Sequence, residues 1–142
     1  EKGKKKIYSV NPTHYDYYKK KYNREDVNWL TVLASFDESH LINHGVKPNH
    51  IHSTDVDCTT FKDLIEQYNF NKLDLLIIDT EGYDNVLVKN FIENTKIRPL
   101  IIFEWIHMKK DDAKNVIELL EANNYKFFKL NKDLICIQNN YF

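Results

Sequence analysis

Acidic side chains gather around one glycine in the stretch Asp79-Thr80-Glu81-Gly82-Tyr83-Asp84, and a further acid, Glu104, lies close to an imidazole at His107. Each group follows a short apolar run, Leu75–Ile78 before the first and Leu100–Phe103 before the second. A carboxylate or an imidazole beside a hydroxyl can act as general base, and an imidazole titrates close to neutrality. A carboxylate also offsets a nearby positive charge. Three acids around a single glycine are more than capping of the next helix requires. The alternatives at this point are a catalytic loop, a metal-dependent hydrolytic site on Asp79, Glu81 and Asp84, and plain helix capping.

The elements that must position these groups follow from pattern. Leu75–Ile78 is too short for a helix and is bounded by Asp74 and Asp79, which suits a strand buried on both faces of a parallel sheet. Ligands in such sheets bind past the carboxyl ends of the strands, where Asp79 and Glu104 lie. Before this run, Thr60 and Asp63 open a helix carrying Phe61, Leu64, Ile65 and Tyr68 at helical spacing. A helix from about Asp84 carries Val86, Leu87 and Phe91. Pro99 precedes the second strand, and Asp111 and Asp112 suit the start of a helix with Ala113, Val116, Ile117 and Leu120 on one face. Tyr125–Leu130 and Leu134–Gln138 read as a hairpin around Asn131-Lys132-Asp133, its last strand antiparallel to the others.

The upstream third is less regular. Ile7–Val10 reads as a short strand closed by Asn11-Pro12. Residues 13–28 interleave Tyr15, Tyr17, Tyr18 and Tyr22 with lysines, which reads as a loop or an amphipathic helix packing its tyrosines rather than a nucleic-acid stacking surface. Ser35 and Glu38 match a capping box for a helix running through Leu41 and Ile42 to Gly45. His40 and His44 share a helix face at the spacing of two metal ligands; hydrogen-bonded or solvent-facing histidines and acceptor contacts are the other readings, and no metal site is assigned. His50 and His52 read as a solvated strand edge, and a strand is expected over residues 51–57.

Composition bounds the function. The 142 residues are 42% apolar with a net charge of −1, which suits one folded domain and gives no case for nucleic-acid or membrane binding. No apolar run approaches the roughly 18 residues that span a bilayer, and a cytoplasmic protein is expected. Cys58 and Cys136 read as reduced core thiols. The three glycines, Gly3, Gly45 and Gly82, cannot make a Gly-x-Gly-x-x-Gly loop or a P-loop. That excludes a GTPase reading of Asp79-Thr80-Glu81-Gly82.

The run Asp74–Asp84 resembles the signature of FkbM-type methyltransferases, a strand ending in Asp-x-Glu-Gly. Arg98–Glu104 is similar to that family's next strand, and Asn124-Tyr125 stands where it has Gly-Tyr. Trp29, Ala34-Ser35-Phe36, His40 and His44 resemble a run in one branch, and Val56–Phe61 the segment leading into the helix before the signature. The likeness extends from about Trp29 to Gln138.

The resemblance implies a Rossmann-like α/β fold and methyl transfer from S-adenosylmethionine to a hydroxyl, often of a sugar or small metabolite. It implies catalytic roles for Asp79 and Glu81, cofactor contacts from Asp79, Ser35 and Phe36, and acceptor contacts from Glu104, His40 and His44; His107 is a further candidate base on its imidazole chemistry, and which of Asp79, Glu81 and His107 takes the proton stays open. The family's first strands and glycine loop have no counterpart before Ile7. The chain is therefore expected to hold the C-terminal portion of the domain, and alone to be inactive and to bind no S-adenosylmethionine. A non-catalytic module of the same fold is the alternative. A strand left with an open edge at Leu73–Asp79 is expected to recruit Ile7–Val10, or a second copy to form a homodimer, or else to reduce solubility.

Overall fold

The computed structural model describes residues 2–139. The chain forms two compact units divided between Cys58 and Thr59.

In the first unit, β1 (Gly3–Val10) is the middle strand of a sheet ordered β2-β1-β3. It pairs antiparallel with β2 (Ala34–Ser35) and, from Gly3↔Cys58 to Val10↔Ile51, with β3 (Ile51–Cys58). A 3-10 turn at Pro12–His14 leads into α1 (Tyr15–Tyr22), which Asn23 ends in the left-handed region at φ +49°. Helices α2 (Trp29–Val32) and α3 (Glu38–Asn43) follow, and Gly45 supplies the φ of +83° after α3. The core of this unit is Val10, Tyr18, Val27, Leu30, Leu33, Leu41 and Val46. Tyr18 is its one large polar member, fully buried, so its hydroxyl needs partners. It accepts from the Lys47 backbone N–H at 2.9 Å and meets His50 Nδ1 at 3.1 Å.

Three expectations change here. Ser35 does not cap α3: its backbone is committed to pairing with Tyr8, and Asp37 caps instead, its Oδ1 accepting from the Ser39 N–H at 2.9 Å. His50 is not on a solvated strand edge but buried in a 3-10 turn, stacked on His14 at 3.9 Å. Ile7–Val10 pairs with β3 and β2, so it is not the neighbour of the Leu75 strand. The tyrosine-rich stretch is a helix that buries Tyr18 and leaves Tyr17 and Tyr22 partly exposed.

The second unit opens with α4 (Phe61–Tyr68), capped as expected: Thr60 Oγ1 accepts from the Asp63 N–H and donates to its carboxylate at 2.6 Å. Then come β4 (Leu75–Ile78), α5 (Asp84–Asn94), β5 (Leu100–Glu104), α6 (Lys110–Ala122), β6 (Tyr125–Leu130) and β7 (Asp133–Gln138). The sheet runs β4-β5-β7-β6, with β4 and β5 parallel and β7 antiparallel to both neighbours. Asn131, at φ +54°, turns the hairpin. One face carries Leu76, Ile78, Ile101, Phe103, Leu134 and Cys136 and packs on Val88, Phe91, Ile92, Val116 and Leu120 of the helices, with Phe61 edge-on to Phe91. Burial pushes the Cys136 thiol up to about 12, so it is an inert core group.

Leu75–Ile78 was expected to be buried on both faces. Instead Leu75 and Ile77 are 45% and 62% exposed, because α4, α5 and α6 belong to one core on the opposite face. Strand β4 ends the sheet among the described residues, so the open edge expected there is present.

Arg98 fastens the helix ends behind β5. Its guanidinium donates to the carbonyls of Ile92, Thr95 and Ile97 and to Asn123 Oδ1, at 2.8–3.1 Å. Arg98→Met is expected to cost about 2 kcal/mol in urea denaturation, since several carbonyls lose a charge-assisted donor at once. In the first unit, burial first, then His14 and Lys47, hold the His50 imidazole below its ordinary value. The unfolded imidazole then binds its proton at higher pH than the folded one, so stability falls as pH drops through about 6.5. Denaturation at about pH 7.5 and about pH 5 should show a smaller acid loss in His50→Gln than in the wild type.

Candidate active site

Parallel pairing in the register Leu75↔Leu100 to Ile78↔Phe103 brings the carboxyl ends of β4 and β5 level, so that Asp79 follows one and Glu104 closes the other. After β4 the chain makes a tight turn, Thr80 C=O accepting from the Tyr83 N–H at 3.4 Å. Both central residues have positive φ, Glu81 at +52° and Gly82 at +99°. That is the mirror-image turn, which suits Gly82 and is strained for Glu81. Asp84, the first residue of α5, stabilises it from below: its Oδ2 accepts from Thr80 Oγ1 at 3.0 Å and from the Gly82 N–H at 3.2 Å. Asp84 is fully buried, and burial raises its carboxyl above the ordinary value. It holds the turn from within the core, so it is not an outward-facing third acid.

After β5 a second turn, closed by Met108 N–H to Trp105 C=O at 3.2 Å, folds His107 back over Glu104. The two turns abut at Gly82, where an added Cβ would meet the His107 backbone oxygen at 3.7 Å. Four ionisable side chains converge as a result. His107 Nε2 lies 3.5 Å from Glu104 Oε2 and 3.9 Å from Glu81 Oε2, and Lys132 Nζ from the hairpin turn stands 4.0 Å from Glu104 Oε1. The Glu104 side chain is only 12% exposed. Its carboxyl is held above the ordinary value by burial and by the Glu81 and Asp79 charges, against the pull of His107 and Lys132. Asp79 itself is exposed.

Asp79, Glu81, Glu104 and His107 thus meet at one end of one sheet. One ligand atom each from Glu81, Glu104 and His107 lie within 4.8 Å of one another. Asp79 and Glu81 were expected beside Glu104 at the carboxyl end of the sheet, as found, whereas His107 was named apart from them and no metal site was assigned. Their grouping depends on the Trp105–Met108 turn, and Lys132 was missed because a turn lysine gives no signal of what it faces.

Ser35, Phe36, His40 and His44 belong to the first unit. Ser35 is buried in β2, its Oγ accepting from the Asp37 N–H at 3.2 Å, while Phe36 is exposed with Lys5 Nζ 5.8 Å from its ring centre. The His40 and His44 rings are 4.4 Å apart, and His44 Nδ1 lies 2.9 Å from the His40 carbonyl, which ties its ring to the helix end. A separate open cleft of about 380 Å³ is lined by Tyr15, Lys19, Glu25, Asp26, Val27, Asn28 and Thr31, none of them a candidate residue.

The methyltransferase FkbM domain matches residues 2–127. The chain belongs to this family. The match begins well upstream of Trp29 and stops inside β6, so the FkbM assignment takes in β1 and leaves β7 outside. No curated protein and no solved structure matches the chain. Membership makes the chain part of a methyltransferase family with a mixed α/β fold. Among the described residues no helix is long and apolar enough to cross a membrane.

The raised carboxyl of Glu104 has a sign that can be checked. A folded value above the unfolded one favours the fold when the group is protonated and costs stability once it is ionised. Glu104→Gln should therefore slow amide exchange in β5 and β7 at about pH 8, and the gain should vanish as pH falls through the carboxylate range near 4.5.

Proposed function

We propose that this FkbM domain takes part in S-adenosylmethionine-dependent methyl transfer to a hydroxyl of a sugar or other small metabolite. The carboxyl end of β4 and β5 forms the acceptor side. The observation that carries the reading is the convergence of Glu81, Glu104 and His107, with Asp79 beside them, where a parallel sheet places its ligands. The exposed Asp79 carboxylate fits the sulfonium end of the cofactor by charge. The glycines do not fit its other ends: Gly3 opens β1, Gly45 follows α3 and Gly82 stands alone in the turn after β4, so no two of them share a loop after a strand.

When bound, S-adenosylmethionine would supply an electrophilic methyl group, which an acceptor oxygen takes in line as the S–CH3 bond breaks and the thioether leaves. The chain's own residues then have three tasks. Asp79 offsets positive charge and takes the hydroxyl proton. Glu104 and His107 hold the acceptor oxygen, and Glu81, on its strained turn, closes the site from the side of α5. Positioning of this kind can supply several powers of ten in rate.

Two measurements test the reading. Calorimetric titration of the 142-residue chain with S-adenosylmethionine should give no saturable micromolar heat. Binding at that level needs about 8 kcal/mol, and immobilising the ligand costs at least ~4 kcal/mol before any gain. Micromolar binding would overturn the partial-site reading and leave methyl transfer standing. In a protein that joins this chain to a glycine loop, Asp79→Asn should lower kcat by about 10²–10³ with little change in unfolding midpoint. Full activity in that variant would remove Asp79 from the reaction. The absence of a glycine loop favours a second reading, a non-catalytic module of the same fold, and failure of the joined protein to bind cofactor would decide for it. The open edge of β4 is where another strand or a second copy would pair.

A further inference from the structure

The groups at the carboxyl end of the second unit's sheet leave a chemical gap that Asp79 cannot close. A carboxylate is a weak base for an aliphatic hydroxyl, so a proton transfer to Asp79 needs an oxygen already made acidic. The side chains facing that end include donors able to do this. His107 Nε2, Glu104 Oε2 and Glu81 Oε2 come from two different turns and one strand end, and face a common point. Nitrogen and oxygen ligands of one divalent ion, at bonds of about 2.1 Å, stand roughly 3.0–3.4 Å apart. The separations here are 3.5 Å and 3.9 Å from the imidazole nitrogen, with every pair inside 4.8 Å. Ordinary rotamer adjustment of the two glutamates, whose side chains are 33% and 12% exposed, closes that difference.

We propose that Glu81, Glu104 and His107 form a divalent-cation site of the manganese or zinc class, which holds the acceptor hydroxyl in the methyl-transfer reading above. One imidazole with two carboxylates suits a borderline ion better than magnesium or calcium, which favour oxygen ligands throughout. Three protein ligands leave open positions, the arrangement of a catalytic rather than a structural site. A hydroxyl oxygen in one of them becomes more acidic, its O–H bond breaks, and the proton passes to Asp79. An acceptor with a second oxygen beside the hydroxyl would occupy two positions and be oriented by chelation.

The charge distribution agrees. Two carboxylates, Glu81 and the largely covered Glu104, meet at one imidazole, and Lys132 Nζ stands 4.0 Å from Glu104 Oε1. A bound cation would neutralise this excess. Lys132 sits on the hairpin turn, where it can swing into solvent as the ion enters.

The site rests on the proposed function for its role but not for its test, which uses metal alone. Titration of the 142-residue chain with Mn²⁺, followed by the loss of free-ion electron paramagnetic resonance signal, should show one equivalent bound, and Zn²⁺ should displace it. Glu104→Gln and His107→Asn should each weaken binding by at least about tenfold. Glu118→Gln, an exposed acid paired with Lys114 on α6, should leave it unchanged. Paramagnetic broadening provides a readout on the unmutated chain: substoichiometric Mn²⁺ should broaden the His107 ring signals before those of His40, His44 and His52. No saturable binding, equal binding by all variants, or first broadening at His40 and His44 would each overturn the site. Metal binding without methyl transfer in the glycine-loop protein would instead fault the functional reading and leave the cation site intact.

Discussion

Parallel register between β4 and β5 is the constraint on which the candidate site depends. With Ile78 opposite Phe103, the next residue along β4 and the last of β5 are both acids, and they arrive at the same level. A slip of one residue would turn Glu104 to the helix-covered face and carry Phe103 out of the core. The apolar contacts of Ile78, Ile101 and Phe103 with Val88 and Phe91 therefore do more than stabilise the unit. They fix which charges meet. Burial of the register residues draws Glu104 out of solvent beside Glu81 and Asp79, and desolvation first, then this crowding of charge, raises its carboxyl.

The turn after β4 shows how this crowding is sustained. Glu81 occupies a left-handed conformation that non-glycine residues reach only at a cost of about 1 kcal/mol. The compensation lies beneath it, in the buried Asp84 carboxylate that accepts from Thr80 and Gly82. In the sequence the two acids look alike, three positions apart in one polar loop. In the structure one is part of the core and the other faces His107, a division of labour set by which side of the turn each projects from.

Much of the second unit was legible because its signals are local. Apolar runs ending in acids gave β4 and β5, Thr60 with Asp63 gave the start of α4, and Asn131 gave the hairpin turn. Signals that depend on a distant partner were not legible. The strand β1 was expected only from Ile7, yet it starts at Gly3, since Lys4 and Lys6 stand opposite Asp57 and Asp55 of β3 and Lys6 Nζ reaches Asp55 at 3.7 Å. A lysine run reads as solvated until the facing acids are known. Ser35 was a plausible cap, but Asp37 offers a stronger one two residues on and Ser35 is claimed by Tyr8. The same limit applied to the site: Glu81, Glu104 and His107 could each be named, but their meeting point needs the register and two turns together.

The position of β7 has a consequence for how the protein is made. It lies between β5 and β6, although it is the last of the three in sequence. As the chain emerges from the ribosome, the first unit has all its strands once Cys58 is out and can fold early. In the second unit, β5 and β6 wait without a shared neighbour until residues up to Gln138 have been synthesised. During that interval Ile101, Phe103 and Tyr125 have no completed sheet to hide in, which is the period when nascent chains pair wrongly or aggregate. The growing chain is therefore most open to mispairing in the interval before β7 emerges, and slowing translation there would lengthen that exposure.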